Sequence, residues 1–565
     1  MTQEIHFENE NLPMRAPEQV MRLERMGSFH QSRLSFMRVL LRRLKRENWQ
    51  FDRPRFDLDE NGVGVATYRV KGPQRTYTLV AFAHDLPDEM RSDRVIAEAW
   101  DTTFTLVDGE PSEEDISRLS QNVPLQEAGR ISEHEFVLSR ANRSVRLFDH
   151  VVDVLASGKQ PDAEKIDATG YLMRTTAVYG SGKFGAADRS TWANREEFSG
   201  SFQPELLSVW LIRTFVIDLV EHLARMKGGD RAVRLDKPLR RRLGIGNSTG
   251  LGMAPFLINH PSLIHAWINA RETALARVRL VAKIDDEIMQ DFGQLVERAK
   301  INTENWSSEH ALQVKKVADL LSDLTKLSEI LKTELLTNPY PFNGLYEWGV
   351  KHLSLEGQEQ LVSLMLEPFP DLVDELSQTM SADEGGQFRI NGRMPLFELK
   401  DLVTEFYGWT NLIDFSSPEA IARVWYTSEE KLEPRLGERF EEPIEAYEQP
   451  LCPGRDARRL HSDLRKWQDG ETVAAFLLKH PEHRHMVRRI QALTSNPYGE
   501  IRDNTIAAEM LPIDLLRCKL SFFGATKFDP RSDRWVRITM YQNAPYPDEL
   551  AFIDPDDCAY PALTK

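Results

Sequence analysis

A run of strand-like segments near the amino terminus constrains the fold most strongly. Residues 53–108 contain VGVATYRV, TYTLVAFAH and TTFTLVDG, which are rich in β-branched and aromatic residues. The turn-forming sequence DENG precedes the first segment, and KGPQ separates it from the second. Such turns join neighbouring antiparallel strands, so the pattern predicts an antiparallel meander. Together with helical periodicity in residues 17–48, it predicts a small α+β domain over residues 1–125.

Helical periodicity dominates the rest of the chain. SEEDISRLSQ begins with a serine in the N-cap position and acidic residues in the first turn, as a helix start requires. The predicted fold class is therefore α+β and predominantly helical, with a small N-terminal meander and larger helical domains. Further long helical patterns lie at residues 204–227, 256–300 and 306–336. The predicted domains are 1–125, a central helical domain at 126–380 and a mostly helical C-terminal domain at 381–565.

Charge and cysteine usage limit the classes of partner. The 565-residue chain has a net charge of −16, which argues against general binding to a nucleic-acid backbone. Its most apolar stretch, Leu206 to Val220, is interrupted by charges and too short to cross a membrane. Three cysteines without a CxxC pair do not form a disulfide framework. These features predict a cytoplasmic protein that does not bind membranes or nucleic acid.

Two glycine-rich segments are the most distinctive motifs. RRRLGIGNSTGLGMAPF, at 240–256, follows a basic run that is unusual in an acidic chain. Glycines allow close backbone approach and a helix N-terminus attracts anions, so a Gly244–Gly252 loop leading into a helix near Ala254 or Pro255 predicts an anion site. The alternative is an ordinary flexible loop with solvated arginines. The second segment, YLMRTTAVYGSGKFGAADRSTW at 171–192, places a lysine between glycines, where it can meet an anion or transfer a proton.

An echo near the C-terminus resembles the second segment in sequence. Residues 515–535 repeat its pattern of arginine, Gly-x-x-Lys-Phe and tryptophan, although chance similarity is the leading explanation. If the echo is meaningful, Lys183 and Lys527 share one cleft. The histidines of FLINHPSLIH and FLLKHPEHRH are spaced five apart, and arginines flank the second motif. That spacing does not suit one helix face, so the sequence predicts no metal site.

These motifs predict an enzyme that acts on a small anionic metabolite bearing phosphate or carboxylate, by metal-independent lyase or group-transfer chemistry. Lys183 or Tyr179 would transfer the proton. The cofactor stays unassigned, and a homo-oligomer is possible. The alternative is a non-catalytic helical binding or scaffold protein. The residues predicted to hold the anion are Arg174, Thr175, Ser181, Asn247, Ser248, Thr249 and Lys527.

Overall fold

A computed structural model describes most of the chain. The described residues divide into two compact units. Unit 1 combines residues 1–28, 251–285 and 334–518, and unit 2 combines 29–250, 286–333 and 519–565. Both units are discontinuous in sequence, so neither coincides with one of the three consecutive predicted domains. The described residues are 13–87, 99–124, 134–175, 195–248, 261–282, 284–306, 311–331, 339–380, 389–414, 416, 453–501, 512–525, 527–530 and 536–556.

Unit 2 contains a nine-stranded sheet with the order β1-β2-β3-β4-β5-β6-β7-β9-β8. Neighbouring strands are antiparallel except β6 and β7, which are parallel. The strands are β1 Gln50–Leu58, β2 Gly64–Lys71, β3 Thr76–Ala83, β4 Thr102–Asp108, β5 Glu135–Arg143, β6 Tyr171–Thr175, β7 Gly244–Ser248, β8 Lys527–Pro530 and β9 Val536–Met540.

Helices make up most of the remaining described structure. The α-helices are Pro17–Val20, Phe36–Arg46, Glu113–Asn122, Phe148–Ala156, Ala163–Thr169, Gln203–Gly228, Lys237–Arg242, Pro261–Arg279, Asp286–Glu304, Ala311–Ile330, Pro341–His352, Leu355–Met365, Pro370–Val373, Leu396–Tyr407, Pro453–Leu464, Val473–Lys479, Arg484–Leu493 and Pro512–Phe523. Short 3-10 helices include Pro481–His483. The mixed, largely helical class predicted from the sequence is confirmed at this level.

The predicted meander is present as β1 to β4, and the predicted helix start at Ser112 is also confirmed. The Ser112 hydroxyl accepts a hydrogen bond from the Asp115 backbone N–H, and the Asp115 carboxylate accepts one from Ser112, which completes a capping box. The sheet nevertheless extends far beyond the N-terminal region, because β5 to β9 add strands from the centre and the C-terminus of the chain. Of these added strands, β6 to β9 have only four or five residues each, so their apolar pattern gives a weak sequence signal.

The Gln203–Gly228 helix covers one face of the sheet, and its direction follows from two ring contacts. Trp210 packs against Phe51 near the start of β1, and His222 packs against Phe56 near its end. The helix therefore runs parallel to β1.

Candidate functional site

The parallel pair β6 and β7 brings together the two glycine-rich segments of the sequence. Arg174 is the register partner of Gly246, and Thr175 is the partner of Asn247. Both β6 side chains are buried. The connection between the two strands contains the Gln203–Gly228 helix, so the arrangement is a βαβ crossover. Ligands of parallel sheets commonly bind where such strands end, and four of the predicted anion-binding positions lie on this pair of strands at that end.

The Gly244–Gly252 segment was predicted to be a loop, and this prediction is wrong for its first five residues, which form β7. Close packing explains two of its glycines. A Cβ at Gly246 would lie 2.7 Å from the Tyr171 ring, and a Cβ at Gly244 would collide with the Met540 carbonyl oxygen. These glycines therefore admit neighbouring groups within the sheet. The rest of the segment, including Thr249 and the predicted helix start, lies outside the described residues.

The sequence predicts that at least one arginine of residues 231–242, or Arg174, reaches the anion, and the structure shows ion pairs for three arginines of this run. Arg240 contacts Asp548 at 2.9 Å and Glu549 at 3.2 Å, and Arg241 contacts Glu549 at 3.5 Å. Arg242 contacts Asp167 at 2.8 Å. Carboxylates that are distant in sequence therefore compete with a ligand for these three arginines. The prediction, which Arg174 alone would satisfy, stays a prediction.

The remaining predicted residues divide into two groups. Asn247, Ser248 and Lys527 are placed by their backbones in β7 and β8. Thr539 of β9 is the register partner of both Gly246 and Lys527, so Lys527 lies on the same row of the sheet as Arg174. Three strand spacings separate these two positions, about 14 Å between Cα atoms. Tyr179, Ser181 and Lys183 lie outside the described residues, as Thr249 does. The predicted cleft shared by Lys183 and Lys527 therefore stays a prediction.

Where both segments are described, the C-terminal sequence echo differs in structure from the segment that it resembles. Arg174 lies in strand β6, whereas Arg517, its counterpart in the echo, lies in the Pro512–Phe523 helix. Equal spacing of similar residues therefore does not give the same local structure here. This agrees with chance similarity as the source of the echo.

Gln203, the first residue of the Gln203–Gly228 helix, has a fully buried side chain away from the predicted site residues in sequence. Its amide nitrogen donates to the Ser201 carbonyl oxygen at 3.2 Å. The amide oxygen, Oε1, accepts no hydrogen bond from the described protein groups. Buried polar atoms are normally satisfied, so this oxygen is an acceptor that a bound molecule can use.

A separate cleft of about 390 Å³ lies beside β1, β2 and β3. Arg55 and Arg69 line it, but Arg55 already contacts Glu113 at 2.9 Å and Arg69 contacts Glu110 at 2.7 Å. Of the predicted site residues that the structure describes, none lines this cleft. Its arginines are therefore neutralised in the same way as those that precede β7.

In unit 1, four potential metal ligands converge: Asp463, His480, Glu482 and His483. One potential ligand atom from each lies within 4.8 Å of the other three. We call this group the His480–His483 cluster. The sequence predicted no metal site here, because the histidines are spaced five apart and arginines flank the motif. Asp463 comes from the Pro453–Leu464 helix, and its approach to the Pro481–His483 turn depends on tertiary packing.

Hydrogen bonds connect the cluster in two pairs. His483 Nε2 lies 2.8 Å from Asp463 Oδ2, and His480 Nδ1 lies 3.1 Å from Glu482 Oε1. Hydrogen bonds from Lys466 and His483 lower the pKa of the Asp463 carboxyl. Hydrogen bonds from its own backbone N–H and from His480 lower the pKa of Glu482. Both carboxyl groups are therefore held in the charged form.

No protein-family model, curated protein or solved structure matches the chain. Its candidate sites consequently rest on geometry and chemistry. Within the described part of the chain, no helix has the length and apolar character that a membrane crossing requires.

Proposed function

We propose that the chain binds a small anionic metabolite where β6 and β7 end. The observation that carries this proposal is the register that pairs Arg174 with Gly246 and Thr175 with Asn247. It joins two segments that were singled out independently for anion-binding chemistry. Arg174 supplies a permanent positive charge, and a guanidinium group suits phosphate or carboxylate.

The proposed chemistry is proton transfer in a lyase or group-transfer reaction that needs no metal. Lys183 or Tyr179 performs this transfer, and Ser181, Ser248, Thr249 and Lys527 contribute to binding. A lysine that loses its proton readily near other cations acts as a base at neutral pH. A non-catalytic scaffold protein, the alternative, has no need of either proton-transfer group.

The test is a thermal-shift and calorimetry panel with the full chain. The probes are inorganic phosphate, pyrophosphate, citrate and simple 2-hydroxy acids, and binding at a hundred times Kd adds about 2.7 kcal/mol of stability. Thr175→Val should weaken binding of the responding probe at least fivefold. Thr105→Val removes a buried hydroxyl from β4 of the same sheet and should leave binding unchanged.

Lys183→Ala then separates binding from catalysis. We expect it to abolish turnover of the compound that binds while the chain stays folded by circular dichroism. No thermal shift with any probe, or equal effects of Thr175→Val and Thr105→Val, would reject the proposed site.

A further inference from the structure

The His480–His483 cluster has the composition of a transition-metal site. Its potential donors are two imidazole nitrogens and two carboxylate oxygens. We propose that Asp463, His480, Glu482 and His483 bind one divalent transition-metal ion, of the Zn²⁺ class. Mixed nitrogen and oxygen donors suit zinc and its neighbours, whereas Mg²⁺ and Ca²⁺ prefer oxygen alone.

The spacing of the four donors is close to what a zinc ion needs. Zinc lies about 2.0–2.2 Å from nitrogen and oxygen ligands, so tetrahedral ligands lie about 3.3–3.6 Å from one another. Two ligand pairs in the cluster are already at 2.8 Å and 3.1 Å, and no pair exceeds 4.8 Å. Side-chain movements of about 1 Å therefore suffice to complete the site.

The local charge also favours a cation. Asp463 and Glu482 contribute two negative charges, while Lys466, which contacts Asp463 at 2.8 Å, contributes one positive charge from a largely exposed side chain. Arginines flank this motif in the sequence, and their charge repels a cation. One of them, Arg489, is buried and contacts Glu500 at 2.6 Å. Its charge is therefore compensated by a carboxylate outside the cluster.

The cluster is held in place by aromatic packing. The His483 ring is buried and stacks on Phe476 with an interplanar angle of 7°. His480 also stacks on Phe476 and receives a hydrogen bond at Nε2 from the Trp467 indole N–H, at 3.3 Å. The stacking of both rings on Phe476 reduces the ordering that an ion must impose on its ligands.

The Trp467 contact provides a signature of metal binding. If Nδ1 of His480 binds the ion, the neutral ring carries its proton on Nε2. That N–H then opposes the indole N–H of Trp467, so the contact must break. Metal binding should therefore change the fluorescence of Trp467, and Trp467→Phe should remove that change while leaving binding intact or slightly tighter.

The ion has a structural role in this arrangement. Four protein ligands fill a tetrahedral shell and leave no open position for an activated water. The ion would link the Pro453–Leu464 helix to the Pro481–His483 turn. The proposal is consequently independent of the metal-free chemistry proposed for unit 2.

The experiment uses the full chain, stripped with a chelator and titrated with Zn²⁺ and with Mg²⁺ by calorimetry and tryptophan fluorescence. We expect one Zn²⁺ per chain at this site and at least 100-fold weaker Mg²⁺ binding. Asp463→Asn and His480→Gln should each weaken Zn²⁺ binding more than about tenfold. His461→Gln, a histidine of the same helix outside the cluster, should have no effect.

Three results would overturn the proposal. They are the absence of stoichiometric Zn²⁺ binding to the folded chain, equal loss of affinity in His461→Gln and His480→Gln, and Zn²⁺ binding that Asp463→Asn leaves unchanged. Circular dichroism establishes folding of each variant, and the fluorescence response of Trp467→Phe distinguishes this cluster from other histidines.

Discussion

Two groups of carboxylates in unit 1 face cations in different ways. In the buried network, Arg15 contacts Glu272 and Glu359, each at 2.8 Å, and all three side chains are nearly inaccessible to solvent. In the His480–His483 cluster, carboxylates face imidazoles, and the Glu482 side chain is 59% exposed. The first group pairs buried carboxylates with a buried guanidinium group. The second pairs carboxylates with imidazoles, whose ring nitrogens are common metal ligands.

Charged groups that stabilise a fold from its interior therefore need different surroundings from charged groups that bind a ligand. The Arg15 carboxylates are further satisfied by Arg271 and Arg25, so the network holds separate segments of unit 1 together. Breaking such a network leaves a buried charge without compensation. In the cluster, Lys466 and Glu482 have largely exposed side chains, so the loss of the ion pair that either one makes costs little.

The largest expected effect is on the buried network. Arg15→Met should destabilise unit 1 by about 3–5 kcal/mol, because two buried glutamates lose their shared partner. The measurement is the urea midpoint of the full chain at pH 7. Arg25→Met is the matched control, since Arg25 is more exposed and contacts Glu359 at 3.1 Å, and it should cost about 1 kcal/mol.

The destabilisation caused by Arg15→Met should depend on pH. Burial raises the pKa of both glutamates, but the charge and hydrogen bonds of Arg15 outweigh burial, and each pKa ends below its ordinary value. A lowered carboxyl pKa stabilises the folded state above the unfolded pKa, near 4.5, and this contribution disappears as the pH falls through the folded pKa. The difference in free energy of unfolding between wild type and Arg15→Met should therefore narrow below about pH 4. A difference that stays constant with pH would contradict the role of these charges.

A half-buried histidine outside the cluster provides a further comparison. His265 Nδ1 accepts a hydrogen bond from the Tyr498 backbone N–H at 3.2 Å, and burial lowers the pKa of the ring to about 4. Because the unfolded state binds the proton more readily, stability should fall between pH 6.5 and 4 by up to about 3 kcal/mol. His265→Gln should flatten this part of the urea midpoint profile. A profile with the wild-type slope would show that another group is responsible.

A second buried ion pair, Arg489–Glu500, is contacted by the Tyr407 hydroxyl, and removing this hydroxyl should lower the free energy of unfolding moderately. Tyr407 donates to Glu500 at 2.5 Å and accepts from Arg489 at 3.1 Å. The direct Arg489–Glu500 contact survives in Tyr407→Phe, so the expected loss is about 1.5 kcal/mol, typical of one hydrogen bond to a charged group. A loss as large as that of Arg15→Met would mean that neutral and charged members of such networks are equivalent.

The smallest expected change in stability is in the His480–His483 cluster. In metal-free protein, Asp463→Asn should change stability by less than about 1 kcal/mol, because the asparagine oxygen can still accept from the buried His483 and the second partner, Lys466, is largely exposed. Thermal unfolding with and without Zn²⁺ provides the check. A large loss of stability in the metal-free variant would remove the distinction between the two groups of carboxylates.

Local features of the fold were predictable because they depend on neighbouring residues. The meander follows from alternating side chains and turns, and the helix start at Ser112 follows from its capping box. The strand at β7 was not predictable in the same way. Its glycines favour a loop when considered alone, but β6 and β9 provide hydrogen-bonding partners on both sides.

The candidate sites were likewise predictable only in part. The sequence singled out Arg174, Thr175 and Asn247, and it contains no signal that the first and last of these lie on adjacent parallel strands. It also contains no signal that Asp548, Glu549 and Asp167 neutralise the basic run. The convergence of Asp463 with His480 is equally invisible, because a metal-ligand set taken from separate elements has no fixed spacing in the chain.

The sequence by itself determined the mixed, largely helical class, the N-terminal meander and the chemical types available for binding, since periodicity, turn residues and charge act over short distances along the chain. The tertiary structure alone decided that the sheet has nine strands, that β6 and β7 are parallel and that carboxylates face imidazoles at His480 and His483. The physical reason is that strand pairing and charge compensation depend on distance in space, and residues far apart in the chain become neighbours only when their apolar faces are buried together.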